Sequence, residues 1–298
     1  MTLNEYQKLA AETVQPYNSI DKENFFLGYL GLAGEAGSVL TTLKKKLRDG
    51  DGFGEFESKL REELGDVLWY ISSIASHYKL SLEDIADNNL NKTKDRFKEI
   101  DLANIPRFDA GYFEKFPDKF TINFIEEKGP NDLLEVKMIW EKEDNGGLEY
   151  IPLGDPLTDN SKIPNDYRYH DIFHLGHVAF LGWSPVIRHL MKLKRKSDSL
   201  TLDAEDRGRP QVAEEAITLI VYNYAKSNKM LKSSDKIDTE ILNMLKQLVV
   251  DLEVANVSSF QWEKAILESY KVFHKVVESK GGKVLVSPST RELRYLGR

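Results

Sequence analysis

Apolar residues recur at helical spacing through the first third of the chain. Leu60, Leu64, Val67, Leu68, Ile71 and Ile74 form one stripe, which predicts a helix over 55–77. A longer helix is predicted from near Asp21, with Phe25, Phe26, Tyr29, Leu32, Val39, Leu40 and Leu43 on its apolar positions. The run Asp49-Gly50-Asp51-Gly52-Phe53-Gly54 ends it. A first helix is expected over 2–13 with Thr2 or Asn4 as its cap, and Ser81-Leu82-Glu83-Asp84 opens a fourth that reaches about Lys98. Four helices with short connections suggest a bundle. Gly28, Gly31, Gly34 and Gly37 recur every three residues in the second helix. Glycine costs helix stability, so the row implies close approach to a neighbouring helix.

The pattern changes after Ile100. Lys119-Phe120-Thr121-Ile122-Asn123-Phe124-Ile125 and Leu134-Glu135-Val136-Lys137-Met138-Ile139-Trp140 alternate with period two. A third short run is Leu148-Glu149-Tyr150-Ile151, after the hairpin signal Asp144-Asn145-Gly146-Gly147. Residues 117–155 therefore read as a small antiparallel β-element. Helices are expected again from about Tyr169 to Ser279, with a break over 198–210, and the tail containing Gly281-Gly282 reads as a strand or extended arm. The expected fold is mainly α: a helical bundle over 1–100, a linker and β-element over 101–160, and a helical C-terminal domain over 161–298.

A chain of 298 residues accommodates about two domains. It holds no cysteine, which excludes disulfides, thiolate catalysis and Cys-ligated zinc. No apolar run is long enough for a membrane span and no signal-peptide pattern opens the chain, so a cytoplasmic protein is expected. The net charge of −7 argues against a long nucleic acid as partner. Two local basic runs, Lys44-Lys45-Lys46-Leu47-Arg48 and Lys192-Leu193-Lys194-Arg195-Lys196, read as solvated faces or as contacts to the phosphates of a small nucleotide.

Two acidic clusters carry the first candidate chemistry. Glu35 and Ser38 lie three residues apart on one helix, and Glu63 and Asp66 three apart on another, so each pair shares a helix face. Side by side, such helices converge carboxylates that repel unless a cation lies among them, and hard oxygen donors suit Mg²⁺ or Mn²⁺. Ser38 stands where a fourth carboxylate would complete the set. Glu62 lies about 100° around the helix from Glu63 and is a poor substitute. Trp69, Tyr70, Phe25 and Phe26 could stack a base, but aromatic residues at helical spacing more often serve as core.

Gly31-Leu-Ala-Gly-Glu-Ala-Gly37, Glu62-Glu-Leu-Gly-Asp-Val-Leu-Trp-Tyr70, Leu82-Glu-Asp-Ile-Ala86 and Asn89-Leu-Asn-Lys92 with Arg96 together resemble the MazG-like nucleotide pyrophosphohydrolases. The resemblance implies an all-α NTP-pyrophosphatase fold and Mg²⁺-dependent hydrolysis of a (deoxy)nucleoside triphosphate to monophosphate and pyrophosphate. It also implies assembly as a homodimer or homotetramer. By position, Glu35, Glu63 and Asp66 would be metal ligands and catalytic residues, joined by Ser38 in place of a carboxylate. Asn89, Lys92 and Arg96 would face the phosphates. The family pattern has E-x-x-E where this chain has Glu35-x-x-Ser38, so turnover is the point in question. The alternative is a weakened nucleotide-sensing module that regulates or scaffolds a protein partner.

A second constellation lies in Asp166-Tyr-Arg-Tyr-His-Asp-Ile-Phe-His-Leu-Gly-His177, where His170, His174 and His177 are spaced by four and three. His170, Asp171 and His174, with Glu214 and Glu215 from a later helix, form a candidate site for a second divalent metal. The competing reading makes these histidines hydrogen-bonded core or interface residues. The segment around them, with Leu181-Gly-Trp-Ser-Pro185, Lys194-Arg-Lys-Ser197 and Glu205-Asp-Arg-Gly-Arg209, resembles the C-terminal domain that follows some MazG-like domains. One further expectation is that these helices are a diverged second copy of the first bundle, with His replacing Glu.

Overall fold

A computed structural model describes residues 1–14, 24–97, 107–129, 132–144 and 147–298. The chain divides into two compact units, Met1–Lys94 and Asp95–Arg298.

The first unit is built from α1 (Leu3–Thr13), α2 (Asn24–Asp49), α3 (Phe56–His77) and α4 (Leu82–Phe97), whose last three residues belong to the second unit. Thr2 caps α1 through a capping box with Glu5. Ser81 opens α4, accepting a hydrogen bond from the Asp84 amide at 3.2 Å. Helix α1 is laced to α3 and the start of α4 by polar contacts. The Gln7 amide donates to the Leu80 carbonyl at 2.8 Å and accepts from the Leu82 amide at 2.9 Å, and the Trp69 indole donates to Thr13 Oγ1 at 2.8 Å. The expected start of α2 near Asp21 lies outside the described residues.

The glycine row does only part of what its spacing suggests. A Cβ at Gly31 would overlap the Tyr70 ring on α3, so that glycine permits a close helix approach. Gly34 and Gly37 meet nothing within 4 Å of such a Cβ. They leave open space beside Glu35.

In the second unit, β1 (Phe120–Lys128), β2 (Leu134–Asp144), β3 (Gly147–Pro152), β4 (Gly281–Ser287) and β5 (Glu292–Gly297) form one antiparallel sheet in the order β3-β2-β1-β4-β5. The tail is thus paired strand, β4 lying beside β1. The boundary expected at residue 160 therefore does not separate two bodies, because strands from either side of it share a sheet. The expected hairpin residues Asn145-Gly146 lie outside the described residues. Gly281 sits at φ +111 where a Cβ would overlap the Phe124 carbonyl, which ties this register to glycine.

The remaining elements are α5 (Asp171–Gly176), a π-helical turn (His177–Leu181), α6 (Pro185–Leu190), α7 (Ser199–Glu205), α8 (Gly208–Ser227), α9 (Thr239–Leu248) and α10 (Ser259–Glu278). Helix α7 occupies the stretch expected to be a break; Asp198 caps it by accepting from the amides of Leu200 and Thr201. The core joins the inner face of the sheet, including Ile122, Phe124, Met138 and Val284, to Trp262, Tyr270 and Phe273 of α10. Phe173 of α5 stacks on Tyr270 with ring centres 4.6 Å apart. A six-residue α5 running into a π-turn and packing with a sheet is not the long-helix arrangement of the first unit, so the expectation of a second bundle copy is not met.

Buried Arg195 also departs from the sequence reading. Its run reads as a solvated face, yet its guanidinium pairs with Asp206 and Glu253, each at 2.8 Å.

Candidate active site

Helices α2 and α3 run side by side, and their periodicity brings Glu35, Glu63 and Asp66 together. Each offers a carboxylate oxygen, and these oxygens lie within 4.8 Å of one another. Glu35 and Glu63 are half-buried and Asp66 is exposed, so the cluster opens to solvent on one side. Gly65 lies between Glu63 and Asp66, and nothing would come within 4 Å of a Cβ on it, as at Gly34 and Gly37. Backbone without side chains thus flanks the carboxylates on both helices. All three donors are hard anionic oxygens, which fits Mg²⁺ or Mn²⁺. Ser38, half-buried, follows Glu35 by one turn on the same face. Glu62 is turned away and accepts from Lys59 at 2.8 Å.

Tyr6 was not singled out in the sequence. Helix α1 packs on α3, and there the Tyr6 phenol pKa is raised by burial and by the charge of Asp66. Only the spacing of α1 relative to α3 could have signalled this, and a sequence does not record that. Trp69 and Tyr70 are engaged within the bundle, with Thr13 and Gly31 respectively. Phe26 is 63% exposed.

The three candidate phosphate contacts on α4 divide. Asn89 and Lys92 are exposed. Arg96 is buried in the second unit, where it pairs with Glu263 at 2.9 Å and donates to the Ile237 carbonyl at 2.9 Å. The structure therefore separates Arg96 from the phosphate role, because its guanidinium is held by protein groups.

In the second unit, α5 and α8 bring the histidines to the glutamate pair. His170 Nδ1 contacts the Tyr167 carbonyl at 2.9 Å, and Tyr167 stacks on the His170 ring with centroids 4.4 Å apart. His174 is fully buried, with Nδ1 2.9 Å from Glu214 Oε1 and Nε2 3.5 Å from Glu215 Oε2. Asp171 is buried with Oδ1 4.0 Å from His170 Nε2. The structure adds His177 to the expected set: its Nδ1 donates to Glu214 Oε1 at 3.0 Å. Glu214 also accepts from Ser184 Oγ at 3.0 Å and the Val186 amide at 2.9 Å. Ser184 thereby caps α6 and holds a buried carboxylate at once.

The electrostatics follow from this enclosure. Burial acts to raise the Glu214 pKa, but the His174 charge and the histidine hydrogen bonds outweigh it and hold the group down at about 2. Burial opposes a charged His174, and Glu214 and Glu215 overcome it, lifting its pKa well above the ordinary value. For His177 burial prevails and the pKa falls.

A helical unit with carboxylates gathered between two helices, followed by an α+β unit with its own His/Glu cluster, defines a two-part class of protein. The model of the MazG nucleotide pyrophosphohydrolase domain matches residues 29–100, and that of the MazG C-terminal domain matches residues 103–298. The chain belongs to the MazG family and carries both domains. It is 42% identical over 69 residues to the Gene 37 protein of Mycobacterium phage L5, a match covering 22% of this chain and 60% of that protein. No solved structure matches the chain. Among the described residues, no helix is long and apolar enough to cross a membrane.

Proposed function

We propose that the chain is a Mg²⁺-dependent nucleoside triphosphate pyrophosphohydrolase, converting an NTP or dNTP and water to the monophosphate and pyrophosphate. The observation that carries this reading is the convergence of Glu35, Glu63 and Asp66 from two helices of the MazG domain. These carboxylates would hold Mg²⁺, with Mn²⁺ as a substitute, and Ser38 would add one neutral oxygen. A bound divalent ion supplies charge neutralisation for the triphosphate and lowers the pKa of a coordinated water. A carboxylate oxygen free of coordination accepts the proton of the water that attacks the α-phosphorus. Lys92 and Asn89, exposed on α4, are the side chains to meet the departing pyrophosphate.

Self-association completes the proposal. Leu40, Leu43 and Leu47 of α2, at i, i+3 and i+7 on one helix face, are each 44% or more exposed in the single chain. Such a stripe is what a helical partner covers, and a homodimer or homotetramer built on α2 would bury it.

Ser38 favours a second reading, in which the unit binds a nucleotide without turning it over and signals to a partner. Incubation with a panel of NTPs and dNTPs plus Mg²⁺ or Mn²⁺, with pyrophosphate release as readout, separates the two. Turnover abolished by Glu63→Gln is expected. Nucleotide binding without turnover under every condition refutes the enzyme reading.

A further inference from the structure

The polar cluster of the second unit has a feature that an internal ion pair leaves unexplained. Nε2 of the fully buried His174 makes no hydrogen bond of acceptable geometry, while Nδ1 approaches Glu214 Oε1 to 2.9 Å. Buried polar atoms are nearly always satisfied, so this ring nitrogen is a donor atom open to a ligand. Its Nε2 faces Glu215 Oε2 at 3.5 Å, and the same oxygen lies 3.9 Å from His170 Nε2. One ligand atom from each of His170, His174 and Glu215 lies within 4.8 Å of the others.

The outer contacts sort the ring nitrogens. Each imidazole turns Nδ1 outward, His170 to the Tyr167 carbonyl and His174 toward Glu214, and each turns Nε2 inward toward Glu215. An acceptor behind Nδ1 keeps a proton there, so that an entering metal ion takes the Nε2 side of the ring, displacing the Nε2 proton of the charged His174, the usual outer-shell arrangement of histidine metal ligands. Glu214 suits that outer role because Ser184, Val186 and His177 already hold it in place. Glu215 differs from it: its side chain is 48% exposed, so the cluster opens to solvent on that side.

We propose that His170, His174 and Glu215 form a binding site for a divalent transition ion, Zn²⁺ foremost, separate from the acidic triad of the first unit. Asp171 stands beside His170 as a further oxygen donor, and Glu214 is a positioning residue that orients His174. Two imidazoles and one carboxylate select a borderline ion such as Zn²⁺, whereas Mg²⁺ takes all-oxygen sets. Three protein donors with a solvent-facing side leave a coordination position for water or an exogenous anion, as in catalytic rather than structural zinc sites.

The full-length protein, freed of metal by chelation and confirmed folded by circular dichroism, is titrated with Co²⁺ as a spectroscopic probe in about 10 mM Mg²⁺, which occupies the hard-oxygen triad. One equivalent of Co²⁺ with visible d–d absorption, displaced by Zn²⁺, is expected. Glu215→Gln and His170→Gln, both at the edge of the buried cluster, should each weaken Co²⁺ binding at least tenfold, and Glu214→Gln by roughly tenfold through its outer-shell role. Glu63→Gln should leave the titration unchanged. Absence of Co²⁺ binding in the folded wild type overturns the proposal. So does binding that survives both Glu215→Gln and His170→Gln, or that disappears with Glu63→Gln.

Discussion

Replacing Ser38 by Glu restores to the acidic cluster the carboxylate that the family pattern carries there. The new side chain follows Glu35 by one helical turn, at a half-buried position bordered by the open space beside Gly34 and Gly37, so it has room to extend. Two unit charges about 4 Å apart attract by about 1 kcal/mol in water, and a divalent ion doubles this to about 2 kcal/mol. That energy corresponds to roughly a 30-fold change in affinity. Salt screening and the entropy of fixing a long side chain reduce the expected gain to roughly tenfold. The assay is the initial rate of pyrophosphate release against free Mg²⁺ at fixed nucleotide, with Mn²⁺ binding followed in parallel by electron paramagnetic resonance. Half-saturation should fall about tenfold. An unchanged half-saturation in a folded variant would show that position 38 does not face the ion, and the helix-face argument would fail.

Three other predictions test the scaffold. Gly281→Ala forces a Cβ into the Phe124 carbonyl at a φ of +111 and should destabilise the second unit by about 1–3 kcal/mol, measured by urea unfolding. A variant as stable as the wild type would remove the register argument for β4. Glu263 has its pKa lowered from 4.5: burial acts to raise it, and the Arg96 hydrogen bond, the Ile237 amide and nearby cations outweigh that. A depressed carboxylate stabilises the fold above its unfolded value, so this contribution is present above about pH 4.5 and drains away as pH falls through the folded pKa. Glu263→Gln should flatten that acid limb in unfolding curves collected from pH 7 to 3; an identical limb would place the acid sensitivity elsewhere. Finally, Leu40→Glu with Leu47→Glu, both on the exposed stripe of α2, should shift sedimentation toward monomer, and an unaltered oligomer would move the interface off this helix.

Much of the first unit is legible along the chain. Helices α1, α3 and α4 follow from caps and period 3.6, because both signals are local: Thr2 with Glu5, Ser81 with Asp84, and the apolar stripe of α3. The three carboxylates were legible for the same reason, since i, i+3 spacing fixes a helix face whatever the neighbours do. The two period-two runs likewise announced β1 and β2, and the short run after the hairpin signal announced β3. What local signals do not carry is the partner of each face. Arg96 continues the polar pattern of α4 and reads as a phosphate contact, yet Glu263, 167 residues away, claims it. Arg195 sits in a run that reads as solvated and is enclosed by Asp206 and Glu253.

The same limit explains the sheet. The tail reads only as a strand or extended arm because the partner of β4, β1, lies more than 150 residues earlier in the chain, and β5 pairs in turn with β4. In the His/Glu cluster, sequence alone proposed the members and could not choose between core and metal ligand. Spacing determined the helix faces, and the order of the motifs carried the resemblance to the family. Only the tertiary structure decided which nitrogen of each imidazole faces Glu215, that Glu214 lies against His174 Nδ1, and that Nε2 of that buried ring is left without a hydrogen bond. Those choices depend on long-range packing and desolvation, which act between elements and leave no periodic trace along the chain.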